Sequence, residues 1–161
     1  MEKIPSFTVD HIRLQKGVYI SRIDKVGDTL LTTYDLRMKK PNDEPVINNA
    51  ELHALEHLGA TYLRNDESIK DDVIYFGPMG CRTGFYLILK GNKASEDILP
   101  ELKALFKFMS NYNEEIPGAT AKDCGNYQDM NLNMAKYEAN LYLDVLDNIK
   151  ADQLKYPADL V

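Results

Sequence analysis

Residues 17–38 read "GVYISRIDKVGDTLLTTYDLRM", and the alternation of apolar and polar side chains on both sides of "VGDT" decides the fold class. A period of two places successive side chains on opposite faces of a strand. Gly-Asp supplies a tight reversal, so the stretch predicts two antiparallel strands ending near Met38. Outward from it, "KKPNDEPVINN" (39–49) carries two prolines and three asparagines, a loop signature. Asn48 followed three positions later by Glu51 is a helix-capping pattern, so a helix is expected to start there. "DVIYFGPMGCRTGFYLILKG" (72–91) predicts two further strands around a "GPMG" break. Ser95 is expected to cap a helix through "EDILPELKALFKFMSNY" (96–112), with Pro100 tolerated because it lies near the first turn. The irregular stretch "EEIPGATAKDCGNYQDMN" (114–131) precedes an amphipathic third helix, "MAKYEANLYLDVLDNI" (134–149). Strands with about three helices imply an α+β fold. The expected architecture has two layers, with the helices packed on an antiparallel or mixed sheet, and the whole chain, 1–161, forms one domain.

Composition excludes several classes of function. The chain has 161 residues, 44% hydrophobic and 27% charged, and no apolar run near the roughly 20 residues of a bilayer span. Membrane insertion is not expected. A net charge of -6 without a basic cluster leaves no electrostatic footprint for a phosphate backbone, so nucleic acid is not an expected partner. The first residues, "MEKIPSFTVDH", lack the pattern of a secretory signal, and a cytoplasmic location is expected. In that reducing compartment Cys81 and Cys124 read as free thiols.

Two of the three histidines stand four apart in "AELHALEHLGATYL" (50–63). On a helix Leu52, Leu55, Leu58, Tyr62 and Leu63 gather on one side, and His53, Glu56, His57, Ala60 and Arg64 on the other. Two imidazoles one turn apart can reach one ion, and Glu56 projects beside them. The plainer alternative is a pair of polar rings on a solvated helix face. A divalent ion needs a third protein ligand, and a catalytic one keeps a further position open. Cys124, followed by Gly125, is the preferred candidate and completes a His₂Cys set suited to Zn²⁺ or Fe²⁺. Cys81 competes, and spacing alone does not rank the two.

The H-x-x-E-H order of "HALEH" is similar to that of the inverted zinc peptidases, in which the glutamate acts as a general base. A second resemblance covers nearly the whole chain. "SFTVDH" (6–11), "YDLR" (34–37), "LHALEHL" (52–58), "PMGCRTGFY" (78–86) and "IPGATAKDCGNYQDMNL" (116–132) resemble, in order, the motif blocks of the LuxS family of S-ribosylhomocysteine lyases. The resemblance implies cleavage of S-ribosylhomocysteine into homocysteine and 4,5-dihydroxy-2,3-pentanedione, the precursor of autoinducer-2. It assigns the metal to His53, His57 and Cys124, with one divalent ion per chain. Fe²⁺ is expected, and Zn²⁺ or Co²⁺ suits the same donors. It makes Cys81 and Glu56 the proton carriers and Ser6, His11 and Arg37 the substrate-contacting residues. It also implies a homodimer with active sites at the interface, where Ser6 and His11 act in trans to Cys81. One departure is Arg82, where the resemblance leads us to expect glutamine. A structural zinc domain without catalysis is the third reading, and it would close its site with four protein ligands.

Overall fold

The computed structural model describes residues 7–157. Gly17–Val26 forms β1 and Thr29–Arg37 forms β2, paired antiparallel around Gly27 and Asp28. Asn49–Asn65 is helix α1, Val73–Pro78 is β3, Gly84–Lys90 is β4, Leu99–Asn111 is α2 and Leu132–Asp147 is α3. The strands form one sheet in the order β1-β2-β4-β3, antiparallel at every pair. The α+β expectation holds, and no parallel pair occurs in this sheet.

Register divides the sheet into two chemically different faces. Val18 pairs with Leu36, Leu36 with Phe85, and Tyr34 with Leu87; these side chains are fully buried in the core that α1, α2 and α3 cover. Each such burial contributes about 1.5–3 kcal/mol. One residue along, Tyr19 pairs with Asp35 and Asp35 with Tyr86, so the opposite face carries a row of polar side chains. Gly84 pairs with Arg37, and glycine is required there because a Cβ would collide with the Leu36 carbonyl oxygen.

The helix ends follow local chemistry, with one correction. Glu51 accepts hydrogen bonds from the Asn48 backbone N–H at 2.7 Å and its side-chain amide at 3.1 Å, which fixes the start of α1. Ser95 does not cap α2. A 3₁₀ turn over Glu96–Ile98 intervenes, the Ser95 hydroxyl is buried without a hydrogen-bond partner, and α2 begins at Leu99 with Pro100 in its first turn. The Asp97 carboxylate takes the free Ala94 N–H at 2.9 Å instead. No helix among the described residues is long and apolar enough to cross a membrane.

Two buried tyrosines and one half-buried tyrosine set an alkaline limit on stability. Burial raises the ionisation of Tyr19, Tyr142 and Tyr156 above the ordinary value of 10.0, and Asp35 adds to the rise. Each stays neutral in the fold while the unfolded chain ionises, so their contribution is complete below about pH 10 and is lost as pH climbs toward the folded values. The urea midpoint is therefore expected to hold to about pH 9 and fall by pH 11. A midpoint that rises over that interval contradicts the assignment.

Candidate metal centre and active-site cavity

The helical register of α1 places His53, Glu56 and His57 on one half-buried face while Leu52, Leu55 and Leu58 enter the core. The segment between α2 and α3 folds over that face. It delivers Cys124, whose Sγ lies 3.4 Å from His53 Nε2. One donor atom from each of His53, His57 and Cys124 falls within 4.8 Å of the others. Both rings are half-buried beneath this segment and are hydrogen-bonded to it. Cys81, the competing third ligand, is not in this group.

The hydrogen bonds behind the rings decide which nitrogen faces the group. His53 Nδ1 lies 3.0 Å from the Asp129 carbonyl oxygen, and His57 Nδ1 lies 2.7 Å from that of Pro117. A carbonyl only accepts, so both rings donate through Nδ1–H and keep the Nε2 lone pair for an ion. Carbonyl anchors of this kind orient metal-ligating imidazoles and increase their basicity. Gly118 makes the Pro117 contact available: its φ of +71° lies in the left-handed region, and a Cβ would stand 3.3 Å from His57 Nδ1. Cys124 Sγ also accepts the Asn126 backbone N–H at 3.5 Å, which helps to hold the sulfur in place. Two oriented imidazoles and one thiol fit a divalent ion of the zinc or iron type with a position left for a further ligand.

Glu56 lines a concavity with His53, Asn49, Met79, Gly80 and Arg82, and makes no hydrogen bond or ion pair among the described residues. A carboxylate without a structural partner is free to exchange protons with a bound molecule. Arg82, at φ 60°, donates to Asn49 Oδ1 at 3.4 Å and points its charge toward this concavity rather than toward Cys81.

A second cavity, of about 280 Å³, lies on the polar face of the sheet and is lined by Phe7, His11, Asp35, Arg37, Cys81 and Tyr86, among others. Arg37 is only 3% exposed, not an ordinary charge at a strand end. Burial alone would lower its ionisation, but the Asp35 carboxylate, at 3.1 Å and 2.5 Å in a two-point contact, outweighs that and leaves the guanidinium charged. Tyr156 donates to the same carboxylate at 2.7 Å and stacks on Tyr19 at 4.9 Å. Nη1 of Arg37 reaches Thr83 Oγ1 at 2.7 Å and Cys81 Sγ at 3.8 Å. Cys81 is exposed to the cavity, beside a fixed positive charge.

The sequence-derived residues thus fall into two groups. His53, Glu56, His57 and Cys124 belong to the α1 side, and His11, Arg37 and Cys81 to the sheet side. Met79 and Gly80 border both concavities. Ser6 lies outside the described residues. His11 and Cys81 line the same cavity of one chain. Asp35, Thr83 and Tyr156 escaped sequence reading. Asp35 had a signal, standing two residues from Arg37 on the same strand face, whereas Tyr156 is 121 residues from its partner and had none.

A family model described as S-ribosylhomocysteinase (LuxS) matches residues 4–153. The chain is 61% identical to the S-ribosylhomocysteine lyase of Finegoldia magna over 157 residues, 98% of this chain and 99% of that protein. It is 58% identical to the protein of the same name from Clostridium acetobutylicum, again over 98% and 99% of the two chains. Against that of Porphyromonas gingivalis it is 52% identical, with the same shares covered.

Proposed function

The chain belongs to the S-ribosylhomocysteinase (LuxS) family, and from that premise we propose how its own residues split S-ribosylhomocysteine into homocysteine and 4,5-dihydroxy-2,3-pentanedione. The thioether of the sugar is not activated, so the carbonyl moves along the ribose first. In each move a proton leaves the carbon next to the carbonyl and another is returned to the former carbonyl carbon, with no net oxidation. Once the carbonyl stands two carbons from the sulfur-bearing carbon, loss of the intervening C–H proton expels sulfur. The C–S electron pair stays on sulfur, which is then protonated.

Cys81 takes and returns the carbon-bound protons. Its position in the cavity with His11, 3.8 Å from the Arg37 guanidinium, supports that role. Glu56, unpaired beside the histidines, moves protons among sugar oxygens and delivers one to the departing sulfur. His11, Arg37 and Ser6 hold the substrate. His53, His57 and Cys124 would hold one divalent ion, with Fe²⁺ the expected metal. When bound, it supplies Lewis acidity that favours negative charge on sugar oxygens. The observation that carries this reading is the convergence of His53, His57 and Cys124 with Glu56 on the same helix face. A cytoplasmic location agrees with two free cysteines.

The working unit is a homodimer in which the Cys81 side of one chain faces the metal side of the other. Two observations favour it: Cys81 and Glu56 line different concavities of one chain, and Phe7 and Ile12, near His11, are 70% and 85% exposed. The test follows free thiol released from S-ribosylhomocysteine. Wild-type protein releases it, and failure of the metal-loaded enzyme to do so ends the lyase reading. Cys81→Ala mixed with Glu56→Gln under subunit exchange is expected to regain about half the normal activity in the mixed dimer, since one site carries both defects and the other neither. Cys81→Ala mixed with His11→Ala regains none, because both defects lie on the same side. Verified exchange without recovery in the first mixture overturns the shared site.

A further inference from the structure

We infer that Thr83 is a positioning residue for Cys81: its hydroxyl relays the Arg37 contact to the sulfur and holds Cys81 as an oriented thiolate. The inference rests on the role of Cys81 proposed above. Thr83 is 5% exposed and its Oγ1 lies between two groups, 2.7 Å from Arg37 Nη1 and 3.0 Å from Cys81 Sγ. A guanidinium only donates, so the hydroxyl oxygen accepts from Arg37. Among the described residues the hydroxyl's other hydrogen-bond partner is the Cys81 sulfur, to which its single proton then points. Arg37 itself is 3.8 Å from that sulfur, so the shorter contact to sulfur is the one made by the hydroxyl.

The backbone holds Thr83 in place. Its carbonyl accepts both the Met38 and the Lys39 N–H at 2.9 Å, and the preceding Arg82 N–H binds the Met79 carbonyl at 2.9 Å. The Arg82 carbonyl in turn takes the Ile47 N–H at 3.0 Å. The hydroxyl is thus presented to Cys81 by a loop fastened to the end of β2 and to the segment before α1, which is how a preorganised donor differs from a mobile one. Other titratable groups at the cavity are His11, Asp35, Tyr86 and Tyr156, with the Arg82 side chain directed to the neighbouring concavity. None of these has a hydrogen bond to Cys81 among the described residues.

The test is the rate of Cys81 alkylation by iodoacetamide as a function of pH, read on the Cys81 peptide by mass spectrometry so that Cys124 does not interfere. A hydrogen bond to a charged group is worth enough that Thr83→Val is expected to slow alkylation at pH 7 by about 10- to 100-fold. The rate should return to the wild-type value at alkaline pH. Thr83→Ser keeps the hydroxyl and is expected to retain the wild-type profile. Lyase turnover of Thr83→Val should fall in parallel and recover as pH rises, a pattern that loss of packing would not produce. If Thr83→Val does not fold, Thr83→Ala is measured in its place, with the same shift expected. A folded hydroxyl-free variant with the wild-type alkylation profile overturns the inference. Because alkylation does not require substrate, that outcome is distinct from failure of the lyase reading, which would show in wild-type turnover.

Discussion

Turnover of S-ribosylhomocysteine by Cys81→Ala and by Glu56→Gln is expected to fall by at least about 10²- to 10⁴-fold, the usual contribution of a positioned acid or base. The side chains differ in how they serve the reaction. Cys81 lies 3.8 Å from the Arg37 guanidinium, and glutamine at position 56 keeps the shape of the carboxylate but cannot exchange a proton. Neither residue belongs to the His53, His57 and Cys124 group, so both variants should retain full metal content and a wild-type urea midpoint. Glu56 is half-buried without partners, so its replacement leaves no unsatisfied buried group, and Cys81→Ala removes the sulfur contact of Thr83 while its hydroxyl keeps the hydrogen bond from Arg37. Near-normal rates in one variant would remove that residue from the mechanism. Lost metal would instead show that the residue supports the ligand set.

Removal of a ligand should act through metal content. His57→Ala and Cys124→Ala are expected to emerge from dialysis without stoichiometric metal, and with no measurable thiol release. The loss should exceed the roughly 10- to 100-fold cost of removing an outer hydrogen bond, because a donor atom itself is gone. Chelation of the wild-type chain should abolish activity reversibly, and Co²⁺ added without oxygen should restore it. Protein carrying Fe²⁺ should lose activity in air. Fully metallated, active His57→Ala protein would show that the ion is held elsewhere. The fold should survive in the apo chain, since α1 is anchored by Leu55 and Leu58, both fully buried, rather than by the histidines.

How much of this was legible in sequence depended on the distance over which each signal acts. The hairpin, the start of α1 at Asn48 and Glu51, and the shared face of His53, Glu56 and His57 are local. Strand alternation, capping and a 3.6-residue period fix them without reference to the rest of the chain. Pairing of Cys124 with the histidines was readable only as a choice between two cysteines, until sequence motifs along nearly the whole chain broke the tie. The start of α2 differs from the expectation because Ser95 is a good cap by type, whereas a 3₁₀ turn over Glu96–Ile98 intervenes and the helix starts at Leu99 without a side-chain cap.

By itself, then, the sequence determined the α+β class, the two-strand hairpin, the histidine face of α1 and the family with its reaction. Each is written in residue types at short spacings or in blocks whose order survives unaligned. Only the tertiary structure decided that Pro117 and Asp129 carbonyls orient the two imidazoles, and that His11 shares a cavity with Cys81. It alone decided that Asp35, Tyr156 and Thr83 surround Arg37. Those contacts join residues 46 to 121 positions apart across a sheet register or an irregular loop, apart from the local Asp35–Arg37 pair. No local period encodes such a meeting, because it is set by where the chain returns after the core has closed on the other face of the sheet.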